Sequence, residues 1–104
     1  MSNVCALALA MSVAAAAQAA DVNAGKTKSA VCAACHGANG ISASPDFPKL
    51  AGQYYDYLVQ AIAEYQSGAR KNAIMTGQVA NLKPGDIEDL AAYFAAQNGL
   101  YTKR

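Results

Sequence analysis

Apolar residues return every three or four positions along several stretches of this chain, and the polar residues between them mark where each stretch ends. Asp21 stands where an N-cap would, and Ala24, Thr27, Val31 and Ala34 share one face of a first helix. That helix is expected to run into Cys32–His36 and stop near Gly37. Residues 37–49 hold Asn39-Gly40, Pro45 and Pro48, so they read as an ordered loop. A second helix is expected from about Gln53 to Ser67, with Tyr54, Leu58, Ala61, Ile62 and Tyr65 as its apolar stripe and Gly68 as its stop. A short helical piece follows, from about Asn72 to Ala80. Pro84 opens the last helix, with Asp86 and Glu88 near the positive end of its dipole. Ile87, Leu90, Ala91 and Phe94 form its buried face, and Gly99 is expected to end it. No stretch alternates with period two for long enough to predict a strand, so the fold class is all-α.

The first residues do not belong to this pattern. Val4 to Ala17 is an uncharged apolar run, followed by the small-x-small pattern Ala17-Gln18-Ala19. It reads as a signal peptide over residues 1–19 that is cleaved, leaving a domain over residues 20–104. A membrane anchor is disfavoured: spanning takes about 20 strongly apolar residues, and this run is short and rich in alanine. Stable membrane insertion is therefore not expected. Met1-Ser2-Asn3 lacks the usual positive start, and Cys5 is expected to leave with the signal.

Charge narrows the partners. The net charge is +1, and the lysines and arginines are scattered, so nothing points to nucleic acid. Size raises a different question. A mature chain of about 85 residues is marginal for a self-sufficient core, and much of its apolar content is alanine. Domains of this size usually need a disulfide, metal or cofactor. Cys32 and Cys35 are too close in sequence to staple distant segments, so a large apolar cofactor is the fitting answer.

Cys32-Ala33-Ala34-Cys35-His36 has the spacing of a c-type haem attachment. Two cysteines three apart on a helical turn point the same way, so each thiol can add to one haem vinyl group. His36 then lies under the iron as an axial ligand. A structural zinc site would need about four ligands, commonly from two separated pairs, and only one pair and one histidine are present. A thiol redox pair would want a strand–helix context, which the pattern lacks.

Elimination addresses the sixth position. His36 is the only histidine, and Met75 is the only methionine after residue 19. A lone methionine is ordinarily core filler. A haem iron in need of a soft partner reverses that prior, because His/Met ligation is a cytochrome pattern that raises the reduction potential.

Taken in order, these segments resemble a class I cytochrome c over the whole mature chain. The resemblance rests on Cys32–Gly37, on Phe47-Pro48-Lys49-Leu50-Ala51-Gly52-Gln53, on Gly68-Ala69-Arg70 before Met75, and on Asp86–Tyr93. The chain is similar to the small bacterial monohaem type, and to one half of the periplasmic dihaem cytochromes. The resemblance implies first and last helices crossing around one covalent haem, with Gly25 and Tyr93 meeting at the crossing. It also implies a Pro48 carbonyl near His36 Nδ1–H, Leu50 packed on the haem, and Asn72 hydrogen-bonded near Met75 or a propionate. The implied function is single-electron transfer in a respiratory chain, not catalysis, in a bacterial periplasm. A quinol-oxidising complex and a terminal oxidase or reductase would be the docking partners. A dehydrogenase subunit, or a haem protein reacting with a small gas or peroxide, stands as the alternative.

Overall fold

The computed structural model describes residues 19–99. The chain order is α1 (Val22–Lys28), α2 (Ala30–His36), α3 (Tyr55–Ser67), α4 (Ala73–Val79) and α5 (Pro84–Ala95), with no strand among the described residues.

The starts of α1, α4 and α5 each have a local cause. The Asp21 carboxylate accepts from Asn23 N and Ala24 N at 2.9 and 3.2 Å, satisfying amides that the first turn leaves free. Asn72 does the same for α4, accepting from Ile74 N and Met75 N at 3.1 Å each. At α5, Pro84 takes the first position and the Asp86 carboxylate accepts from Lys83 N at 2.9 Å.

The first helix is two helices rather than one. Ser29 separates α1 from α2, and its buried hydroxyl donates back to Lys26 O at 2.7 Å. A side chain bonded to the carbonyl of the preceding turn competes with the helical ladder there. Val31 and Ala34 consequently leave the core face and line a cavity, while Thr27 is exposed. At the other end α5 stops at Ala95, not at Gly99. Gly99 instead lies against the loop, where a β-carbon would stand 2.8 Å from Ala51 Cβ.

The core is Leu58 of α3 with Leu90, Ala91, Tyr93 and Phe94 of α5. Cys32, Leu50, Tyr55, Val59 and Leu82 pack on it from the outside. α1 crosses α5 with Gly25 against Asp89 and Tyr93, α3 packs on α5, and α4 packs on α3. The crossing is pinned by charge as well as by fit. Lys28 Nζ reaches Asp86 at 2.8 Å and Asp89 at 2.6 Å, and Asp21 N donates to Asp89 at 2.8 Å.

Loop 37–54 is tied to α5 at several points. Tyr93 OH donates to Ala38 O at 2.8 Å, and Gly52 N donates to Phe94 O at 2.9 Å. Gly40 O closes the loop on itself by accepting from Leu50 N and Ala51 N at 2.8 and 3.1 Å. Among the described residues no helix is long and apolar enough to cross a membrane. The expected signal segment 1–19 lies, but for its last residue, outside the described residues.

Candidate haem-binding site

His36 is the last residue of α2 and is buried. Gly37 follows at φ 85°, a conformation that turns the chain away directly after the histidine. A β-carbon at Gly37 would stand 2.1 Å from Ile41 O, so the turn and the return of the loop both require glycine. The returning loop then brings Pro48 back to the ring: His36 Nδ1 lies 2.7 Å from Pro48 O. A carbonyl can only accept, so Nδ1 carries the proton and Nε2 is left with the free lone pair. Phe47 stands edge-on to the imidazole at 6.4 Å between centroids, completing its wall.

Nearby opens a cavity of about 500 Å³, within the size range of small-molecule and cofactor sites. Cys32, Cys35, His36, Pro48, Leu50 and Met75 all line it, so every site residue expected from the sequence is brought to one place. Leu58, Leu90, Ala91 and Phe94 contribute the deep apolar wall. Cys32 is half-buried, whereas Cys35 is exposed.

Met75 is half-buried on α4, whose first turn is fixed by the Asn72 cap. Asn72 thus touches the Met75 segment through the backbone amides of Ile74 and Met75.

Arg70, the last residue of the Gly68-Ala69-Arg70 segment, occupies a distinct place on the cavity lining. Its guanidinium lies 5.5 Å from the centroids of both the Tyr57 and Tyr65 rings. It also donates to Tyr57 OH from both terminal nitrogens at 3.2 Å and sits 3.6 Å from Glu64. The two tyrosine hydroxyls raise its already high pKa, Tyr57 most. The only sequence signal for this cluster was the spacing of Tyr57 and Tyr65 on one helix.

The donor set fits a haem and not zinc. Among the described residues no three His, Cys, Asp or Glu side chains gather as a metal-binding group. What gathers is a pair of thiols beside an oriented imidazole, facing an apolar cavity with a thioether on its lining.

A helical fold of crossed terminal helices with this arrangement defines a c-type cytochrome. Residues 22–97 match the cytochrome c family, and the chain belongs to it. The family binds haem c covalently through a Cys-x-x-Cys-His motif with its iron, and Cys32, Cys35 and His36 are that motif here. The particular likeness is to cytochrome c4. The chain is 51% identical over 79 residues to cytochrome c4 of Pseudomonas aeruginosa, covering 76% of this chain and 39% of that protein. A crystal structure of reduced recombinant cytochrome c4 from Pseudomonas stutzeri aligns with a TM-score of 0.74 at 44% identity, over 79% of this chain and 48% of that one. Cytochrome c-554(548) of Halomonas halodenitrificans is 42% identical over 82 residues, covering 76% of this chain and 99% of that protein. The chain therefore spans less than half the length of the cytochrome c4 proteins it matches.

Proposed function

We propose that the chain is a single-electron carrier of the bacterial periplasm, with His36 and Met75 as the two axial ligands of its iron. The observation that carries this reading is that His36 and Met75 line the same cavity. When bound, a c-type haem supplies reversible one-electron chemistry. The rest of the work falls to the chain. Cys32 and Cys35 fix the group in place, and Pro48 O holds the His36 ring and strengthens Nε2 as a donor. The neutral Met75 thioether favours the reduced state and raises the potential. Leu50, Leu58, Leu90 and Phe94 line the cavity and would keep water from the interior, and Leu50 would pack on the bound group.

Were His36 and Met75 both to hold the iron, no position would be left open for a substrate, which favours electron transfer over catalysis. Val31, Tyr57 and Ile74 are exposed at the cavity lining, an apolar rim suited to small, transient docking. The partners we assign are a quinol-oxidising complex as donor and a terminal oxidase or reductase as acceptor, in a respiratory chain. The test of the ligand pair is the ferric holoprotein spectrum. A low-spin spectrum with the weak long-wavelength band of sulfur ligation, lost in Met75→Leu, is expected. A high-spin ferric spectrum at neutral pH removes Met75 from the iron.

A further inference from the structure

Of the four protein attachments proposed for the cofactor, three are covalent or adjacent to a covalent one, since Cys32, Cys35 and His36 lie within five residues of α2. Met75 has no such tether. What keeps it in place is the placement of α4, a helix of 7 residues, too short to hold itself together in water. α3 is the helix it packs on.

The polar contacts between α3 and the Met75 segment are few. Thr76, next to Met75, donates from Oγ1 to Tyr65 O at 3.1 Å. The neighbouring residue, Gln66, reaches further. Its Nε2 donates to Val79 O and to Leu82 O, both at 2.8 Å. Val79 is the last residue of α4, and Leu82 lies just before the N-cap of α5. One half-buried amide therefore ties the end of α4 and the connection into α5 to the end of α3. Two carbonyl oxygens can be met only by the NH₂ of the amide, so the acceptors themselves fix which way the group faces. Asn72 holds the front of α4 and Gln66 holds its back, with Met75 between them.

We propose that Gln66 is the positioning residue for Met75: its clasp on residues 79–82 sets how firmly the thioether stays on the iron. The proposal rests on the reading of Met75 as a ligand. Gln66 touches neither the cofactor nor Met75 in this account; it acts by denying α4 the freedom to swing out. Without the clasp, α4 is held by the Asn72 cap, the Thr76 bond and the burial of Val79. Two lost hydrogen bonds should speed the opening of α4 by on the order of tenfold or more.

The experiment uses ferric holoprotein carrying Gln66→Leu or Gln66→Glu. Leucine removes the donors, and glutamate keeps the length while setting oxygens against the two carbonyls. The readouts are the rate at which imidazole replaces the sulfur ligand and the pH at which the long-wavelength band disappears. Tyr93→Phe, which removes one hydrogen bond between α5 and the 37–54 loop, serves as the control for stability lost elsewhere. Both Gln66 variants should keep the band at neutral pH, exchange at least about tenfold faster than the unsubstituted protein, and lose the band at lower pH. The control should exchange at the original rate. Equal rates in the Gln66 variants and the unsubstituted protein, with the band present in both, overturn the clasp alone. Acceleration of the control to the same degree also overturns it, because the effect would then be general destabilisation. Absence of the band from the unsubstituted protein overturns the ligand assignment itself, and the clasp with it.

Discussion

Gly25 and Tyr93 pass so closely that a β-carbon on Gly25 would stand 2.7 Å from Tyr93 Cβ, and only 2.0 Å from the backbone oxygen of Asp89. Two effects oppose each other at this position. Alanine in a helix interior is favoured over glycine by about 1 kcal/mol. Forcing a methyl group into a contact with backbone atoms costs about 1–3 kcal/mol, and here the obstacle cannot rotate away. Gly25→Ala should therefore lower the urea midpoint of the holoprotein. An unchanged or higher midpoint would mean that α1 can retreat from α5 without loss.

Tyr93 also acts away from that crossing, through its ring in the core and its hydroxyl on Ala38 O of the 37–54 loop. Tyr93→Phe keeps the ring and removes the hydrogen bond, so it should cost about 1 kcal/mol in equilibrium unfolding. A cost near that of Tyr93→Ala would show that the hydroxyl carries more than one ordinary bond.

The Lys28–Asp86–Asp89 cluster makes a pH prediction. Lys28 and then the Lys83 amide hold the Asp86 carboxyl below its usual range, and the Asp21 amide and then Lys28 do so for Asp89. Groups with depressed native values stabilise the fold above their unfolded values, near pH 4, and lose that contribution as pH falls through the native values. Lys28 is shifted upward by Asp86 and Asp89, so its contribution is whole below its ordinary value and fades only as pH rises through the raised one. The stability gap between the unsubstituted holoprotein and an Asp86→Asn, Asp89→Asn double variant should be widest at neutral pH and close on acidification. It should also narrow with salt, because the groups are near the surface. A gap that widened at low pH would contradict the assignment.

Cofactor removal should be more damaging than any of these. The wall of the cavity is made from the same Leu58, Leu90 and Phe94 that form the core. Cys32→Ala with Cys35→Ala should leave a chain with little helical circular dichroism and no cooperative thermal transition. A cooperatively melting apoprotein would show that α1, α3 and α5 are sufficient by themselves.

Much of the site was legible because chemistry fixes it in few residues. The Cys32–His36 spacing speaks for itself, and a single histidine in the chain with a single methionine after residue 19 narrows the proposed ligand pair. The helices of strong period, α3 and α5, were legible for the same reason that they fold: Leu58 and Ala61 fall on one stripe of α3, and Leu90, Ala91 and Phe94 on one stripe of α5. What was not legible depends on which surface an apolar residue meets. Val31, Ala34 and Ile62 have the right period for a helical core, yet they line the cavity, and no periodicity separates a cofactor wall from a core. Gly99 looked like a helix stop because close backbone approach and helix termination select the same residue. Gln66 gave no signal at all, since a glutamine near a helix end is usually solvated and its two carbonyl partners lie 13 and 16 residues away.

The crossing of α1 and α5 also has a bearing on the order of events in biogenesis. Asp21 and Lys28 meet Asp89 across 68 and 61 residues of chain. Contacts of that separation carry the full cost of loop closure and cannot form before residues 84–95 have been made. The attachment segment, in contrast, directly follows α1 and is complete at His36. A chain whose terminal helices have not yet met therefore already carries both thiols and the imidazole within one short local segment, so attachment does not have to wait for the crossing to form.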